Sequence, residues 1–162
     1  MEGINGIRVA ILTASDTRSI ENDASGQRLR ELLEKVGADV VEHLIVSDDK
    51  DEIRSVLLTL VDDMRADLIL TTGGTGLGPR DNTPEATQQV IDREAPGIAE
   101  SMRFSTAAKT PSAVLSRGIA GTRDRTLIIN LPGSPKAVEE CFSVIYPILG
   151  HALRMVRGDT EH

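Results

Sequence analysis

The sequence predicts a single α/β domain, built as a three-layer, doubly wound and mostly parallel sheet with an antiparallel hairpin strand. Short apolar runs alternate with helical patterns, the order of elements that gives a parallel sheet covered by helices. Two of these runs lead into loops of glycine and other small residues, as strands do at the ligand-binding edge of α/β sheets. The 162 residues suit one domain with a substantial core, so we expect residues 1–162 to form one domain.

The first half of the chain predicts two strand-and-helix pairs. Residues 7–14 form a near-continuous apolar run with β-branched side chains, typical of a central strand buried on both faces. Leucines and a valine at helical spacing then predict a helix over residues 25–36. Residues 38–46 follow as a second strand. Ser47 is expected to cap the next helix, with Asp48 in its first turn.

The second half adds helices and the hairpin. Helical patterns cover residues 84–94 and 98–107. Residues 113–121 and 126–131 are predicted as strands joined by a polar turn, which would add antiparallel pairing to the sheet. The last helix carries a long apolar face, and Pro147 allows a kink or break midway.

The composition is that of a soluble globular protein, with 40% hydrophobic and 27% charged residues. A formal charge of -7 disfavours binding to a nucleic-acid backbone. The lone Cys141 excludes an internal disulfide and fits a reducing cytoplasm. No signal-peptide pattern or apolar run of transmembrane length occurs. We therefore expect a cytoplasmic protein that binds neither nucleic acid nor a membrane.

The main candidate site is the stretch 67–87, which reads DLILTTGGTGLGPRDNTPEAT. An apolar strand leads into four glycines within six residues, and a helix opens near Thr83. Glycine permits positive φ and brings bare N–H groups close to a ligand, so the loop suits an anion; a flexible turn is the alternative. The loop lacks both the P-loop lysine and the spacing of a dinucleotide fingerprint.

Asp81 lies just beyond these glycines. An acid there would repel a bound phosphate unless a divalent cation lay between them, and Mg²⁺ commonly uses one or two carboxylates together with phosphate oxygens. Asp81 equally suits the positive end of the following helix. Asp48 begins the helix after the second strand and so lies at the same edge of the sheet, although the helix dipole alone would also explain it.

A second strand, small-residue loop and helix occurs at residues 127–136, which read LIINLPGSPK. Ser134 is a good N-cap, and Pro135 is a good first helical residue. Lys136 has the wrong sign for the helix dipole and could meet a bound anion, although exposed lysines are common.

These motifs resemble those of the molybdopterin adenylyltransferases of molybdenum cofactor synthesis and of their fused relatives, the G domains of gephyrin and of the plant cofactor protein. TTGGTGLGPRDNTPEAT resembles the family signature, and the resemblance continues through VAILTASD, LSRGIAG and LIINLPGSPKA, in the same order and over nearly the whole chain. It implies a doubly wound fold that transfers AMP from Mg²⁺-ATP to the terminal phosphate of molybdopterin and releases pyrophosphate. It also implies a homotrimer or dimer of trimers, with possible hand-over to a molybdenum-inserting protein.

The resemblance also implies roles for single residues. Asp81 matches the aspartate of the R-D-x-T-P-E-A-T stretch, implicated in catalysis through Mg²⁺. The family's other acid lies in a Pro-Asp-Glu segment that here reads Ser47-Asp48-Asp49, and we assign its role to Asp48. The residues implied to hold phosphates or shape the pterin and nucleotide pocket are Gly73, Gly74, Thr75, Gly76, Ser116, Asn130, Pro132, Gly133 and Ser134.

Two other functions fit the same sequence. A non-catalytic pterin-binding or scaffold module is one, since relatives serve inside larger proteins. AMP transfer to, or hydrolysis of, another small phosphorylated compound is the other. Binding of Mg²⁺-ATP would distinguish an adenylyltransferase from a scaffold, which does not require it.

Overall fold

The computed structural model describes residues 2–159, so Met1 and residues 160–162 of the predicted domain lie outside the described residues. Six strands form one mixed sheet in the order β2-β1-β3-β6-β5-β4. The first four in this order are parallel, and β5 and β4 add antiparallel pairs at one side. The strands are β1 (Arg8–Ala14), β2 (Asp39–Val46), β3 (Leu68–Thr72), β4 (Arg93–Glu94), β5 (Ala120–Arg123) and β6 (Thr126–Leu131).

Helices cover both faces of this sheet, which confirms the predicted three-layer α/β fold. Neighbouring residues of the buried strands face opposite cores: Leu70 packs with α1, α4 and α5, whereas Ile69 packs with α2 and α3. Both faces of β3 and β6 are therefore buried, as their continuous apolar runs predict. The helices are α1 (Ala24–Lys35), α2 (Lys50–Asp62), α3 (Thr83–Gln88), α4 (Pro96–Ala107) and α5 (Pro135–Arg157).

Two predicted elements in the second half are wrong in part: one helix ends too late, and most of one strand is not a strand. The helix expected over residues 84–94 ends at Gln88, because β4 pairs with β5 and the Ala95 N–H donates to the Ala120 carbonyl over 2.8 Å. The strand expected over residues 113–121 is instead a 3₁₀ helix, Pro111–Leu115, followed by β5. Pro111 lies in the first turn of that helix, where its missing N–H costs no hydrogen bond.

Helix α2 begins later than predicted. Asp49, and not Ser47, is its N-cap, and the Asp49 carboxylate accepts the Glu52 N–H over 2.9 Å. The Ser47 hydroxyl donates to the Glu52 carboxylate instead. Asp48 therefore precedes the cap and lies outside the first turn, where it is free to contact the loop after β1.

Helix α5 begins as predicted, with Ser134 as its N-cap and Pro135 at the first position. It continues through Pro147 without a break and ends at Gly158, whose φ of +83° is that of a left-handed cap. Within residues 2–159, no helix has both the length and the apolar character needed to cross a membrane.

Candidate functional site

A cavity of about 560 Å³ lies at the carboxyl ends of β3 and β6. Its walls come from the glycine loop after β3, the loop after β6, helix α4, the segment 110–118 and the first two turns of α5. Asp81 and every residue that the sequence nominates for binding line this one cavity: Gly73, Gly74, Thr75, Gly76, Ser116, Asn130, Pro132, Gly133 and Ser134. The structure thus brings together residues from distant parts of the chain.

The glycine loop has the backbone that its sequence predicts. Gly73 and Gly74 take φ values of +85° and +68°, which side-chain-bearing residues rarely adopt. A Cβ at Gly73 would also lie only 2.6 Å from the Ala14 carbonyl oxygen. Within residues 2–159, the main-chain N–H groups of Gly74, Thr75 and Gly76 donate to no acceptor. The loop therefore presents several free donors at the cavity, as an anion site requires.

Asp81 belongs to the glycine loop more than to the helix that follows. Its carboxylate accepts the Gly78 N–H over 2.8 Å, and its own N–H donates to the Gly78 carbonyl over 3.0 Å. Asn82 is the N-cap of α3, which argues against Asp81 as a simple helix cap. The Asp81 carboxylate passes so close to Gly76 and Gly78 that a Cβ at either would lie 2.8 or 2.9 Å from it. These glycines let the acid fold back over the loop.

Asp48 lies beside the cavity and does not line it. Its carboxylate accepts the Asp16 N–H over 3.0 Å, and the Asp16 carboxylate accepts the Asp48 N–H over 3.0 Å. The Asn82 side chain donates to the Asp48 carbonyl over 2.8 Å, which ties this segment to the glycine loop. Burial raises the pKa of Asp48, and the nearby charges of Asp16 and Asp81 raise it further.

Arg80 partly neutralises this acidic rim. Its guanidinium binds the Asp16 carboxylate through two nitrogens, at 2.9 and 3.1 Å. That hydrogen bond lowers the pKa of Asp16 below its ordinary value. The rim formed by Asp16, Asp48 and Asp81 therefore carries more negative charge than Arg80 offsets.

Comparison with known proteins decides the family. Residues 10–151 match the sequence model of a family described as a probable molybdopterin binding domain. The chain belongs to this family.

Its relatives include proteins from bacteria and eukaryotes. A molybdopterin adenylyltransferase from Helicobacter pylori (strain ATCC 700392 / 26695) is 39% identical over 94% of this chain and 89% of its own length. Gephyrin from Dictyostelium discoideum is 38% identical over 93% of this chain, which corresponds to 22% of gephyrin. The crystal structure of the molybdopterin biosynthesis enzyme MoaB from Thermus thermophilus superposes with a TM-score of 0.87 at 48% identity, over 94% of this chain and 97% of that one.

In this member of the family, Asn130 forms part of the cavity wall. It is 1% exposed, and its amide nitrogen donates to the hydroxyls of Thr71 and Thr87, each over 3.0 Å. Its amide oxygen accepts the Ile119 N–H over 3.2 Å. These three bonds fix the strand that carries the second loop against the segment that carries Ser116.

The loop after β6 is also held by the segment that follows β1. Arg18 donates to the Gly133 carbonyl over 3.1 Å and to the Ser25 hydroxyl over 2.8 Å. Ser25 in turn bonds the fully buried Asp23. Burial acts to raise the pKa of Asp23, but hydrogen bonds from Thr13, the Gly26 N–H and His43 outweigh it, so the pKa lies below its ordinary value.

Cys141 is a buried thiol in a helix. It is 4% exposed in α5 and lines the cavity, and burial raises its pKa to about 11. The thiol is therefore neutral near pH 7 and is a poor nucleophile.

Sequence reasoning missed the cavity wall that α4 and the segment 110–115 supply, and with it two arginines. Arg103 lines the cavity and donates to the Ser116 and Gly118 carbonyls, and Arg117 contacts the glycine loop. The one available signal was that Arg117 lies inside the L-S-R stretch used for the family resemblance. Nothing local in the sequence indicates which distant carbonyls an arginine will reach.

Proposed function

We propose that this protein is a molybdopterin adenylyltransferase of molybdenum cofactor synthesis. It would transfer AMP from Mg²⁺-ATP to the terminal phosphate of molybdopterin and release pyrophosphate. The observation that carries the proposal is the single cavity that joins a glycine loop with free N–H donors, the Asp81 carboxylate and the loop after β6. The family match and the name of the Helicobacter pylori relative supply the identity of the substrate.

The reaction needs no nucleophilic side chain. A terminal phosphate oxygen of molybdopterin attacks the α-phosphorus of ATP, and the bond from that phosphorus to the pyrophosphate oxygen breaks. The protein contributes by positioning the two phosphates and by stabilising the charge on their oxygens. The N–H groups of Gly74, Thr75 and Gly76 are the donors assigned to that task.

The acidic rim suits a magnesium ion. Asp81 and Asp48 would hold Mg²⁺, which when bound supplies Lewis-acid stabilisation of the phosphate charge. Oxygen ligands are those that Mg²⁺ prefers. The pKa of Asp48 is raised first by burial and then by the charges of Asp16 and Asp81, and a bound cation would favour its ionised form. Residues 2–159 contain no cluster of three or more His, Cys, Asp or Glu side chains arranged to hold a metal. Phosphate oxygens of the substrate would therefore complete the coordination.

We also propose that the protein is a cytoplasmic homotrimer, or a dimer of trimers, that hands its product to a molybdenum-inserting protein. Three large apolar side chains near the cavity support contact with another chain. Phe104 is 74% exposed, and Val114 and Leu115 are each 53% exposed. Light scattering after size-exclusion chromatography gives the mass of the assembly, and a mass near 17.4 kDa would exclude any oligomer.

The deciding experiment is pyrophosphate release from Mg²⁺-ATP with and without molybdopterin. We expect release only when the pterin is present. Release without it would indicate hydrolysis of ATP or another acceptor. If molybdopterin binds but no pyrophosphate is released, the proposal of an adenylyltransferase is wrong and a non-catalytic binding module is supported.

A further inference from the structure

Arg117 makes three contacts with the loop that forms one wall of the cavity and one with the helix that follows it. Its main-chain N–H donates to the Thr75 carbonyl over 2.8 Å. Its guanidinium donates to the Gly76 carbonyl and to the Asp81 carbonyl, each over 2.7 Å, and to the Glu85 carboxylate. One residue on a distant segment therefore holds the start and the end of the glycine loop and the helix after it.

These contacts fix the direction of the loop's N–H groups. In a trans peptide, the carbonyl of one residue and the N–H of the next point in opposite directions, and the described chain contains no cis peptide bond. When Arg117 binds the carbonyls of Thr75 and Gly76, the N–H groups of Gly76 and Leu77 must point away from it. Neither of these N–H groups donates to an acceptor within the described part of the chain.

The shape of the Arg117 guanidinium explains these contacts better than its positive charge does. The Arg117 guanidinium is paired with Glu85 and also lies near Asp81, so its positive charge is largely offset where it stands. A lysine would preserve that charge but would place its donors on one nitrogen. It could not span the Gly76 and Asp81 carbonyls as the planar guanidinium does.

We propose that Arg117 is a positioning residue that orients the glycine-loop N–H groups toward a bound phosphate. The inference rests on the proposed function, because it takes a phosphate to be the ligand of that loop. Arg117 itself need not touch the ligand.

The test measures binding of inorganic pyrophosphate, in buffer containing Mg²⁺, to the wild-type protein and to R117K by calorimetry. We expect R117K to weaken binding by about tenfold or more, since each misaligned donor loses a charge-assisted hydrogen bond. R123K is the matched control. The side chain of Arg123 is 30% exposed, close to the 34% of Arg117, and it also binds a carbonyl and a carboxylate. Those partners, Val90 and Asp62, lie outside the cavity. R123K should bind within about twofold of wild type.

A second measurement does not depend on the folding of any variant. In the wild-type protein, pyrophosphate should shift the amide ¹H and ¹⁵N resonances of Gly76, whose N–H Arg117 orients and which lines the cavity. Binding without those shifts, or equal binding by R117K and wild type, would overturn the role of Arg117 alone. If the wild-type protein does not bind pyrophosphate, the glycine loop is not a phosphate site. That result would contradict both the role of Arg117 and the proposed adenylyltransferase.

Discussion

Asp48 and Asp81 follow strands of one sheet and end at the same edge, yet their surroundings differ. Asp81 folds back over the glycine loop, accepts one loop N–H and lines the cavity. Asp48 exchanges hydrogen bonds with the segment of Asp16 and lies beside the cavity, where burial and neighbouring acids raise its pKa. Asp81 thus lies where it can contact a ligand, whereas Asp48 lies at a junction between loops. This difference predicts unequal effects of matching substitutions.

The largest effect should come from Asp81→Asn. The amide oxygen can still accept the Gly78 N–H, so the loop should keep its shape while the negative charge is lost. We expect turnover to fall by about a thousandfold, the scale of losing one key electrostatic group. Molybdopterin affinity should stay within about threefold of wild type. Pyrophosphate release and direct pterin titration measure the two quantities, and unchanged turnover would refute the assigned role.

Asp48→Asn should have a smaller effect, because its carboxylate does not line the cavity. We expect a loss of about tenfold to a hundredfold in turnover, with partial recovery at high Mg²⁺ concentration if the residue helps to hold the ion. The adjacent Asp49→Asn is the matched control, since asparagine caps a helix as well as aspartate does. A greater loss in Asp49→Asn than in Asp48→Asn would transfer the role to Asp49.

The smallest effect concerns stability and pH. Because the pKa of Asp48 is raised on folding, ionisation destabilises the folded state increasingly as the pH rises above the unfolded-state pKa, and the full penalty is present above the raised pKa. Asp48→Asn should therefore raise the melting temperature at pH 7, by about 1–3 °C for a modest shift. The advantage should disappear as the pH falls through the raised pKa toward the ordinary aspartate value of about 3.9. Thermal unfolding of both proteins from pH 3 to pH 7 tests this, and an advantage that grows in acid would contradict it.

Much of the fold follows from local patterns. A few neighbouring residues are enough to predict the strands β1, β3 and β6 from their apolar runs, and the start of α5 from Ser134-Pro135. The structure confirms these elements. The binding residues named from the sequence came from the family resemblance, and the meeting of the loops after β3 and β6 agrees with the rule that carboxyl ends of parallel strands share one edge. The segment 113–121 could not be predicted, because it is shaped by bonds to the glycine loop about 40 positions away.

The partners of the arginines at the site could not be predicted for the same reason, because they are distant in the sequence. Arg80 finds its partner Asp16 at a separation of 64 residues, and Arg117 finds Gly76 at a separation of 41. Short-range periodicity carries no information about such pairings. The strand β4 was missed for a related reason, because its two residues have no pattern of their own and form a strand only against β5.

The two loops that line the cavity meet at a pair of glycines, where a Cβ on Gly133 would lie 3.2 Å from the Cα of Gly73. Arg18 holds the Gly133 side of this junction. The two backbones therefore meet here with no side chain between them. The base of the cavity is therefore made of main chain alone, and a side chain at Gly133 would have to push the two loops apart.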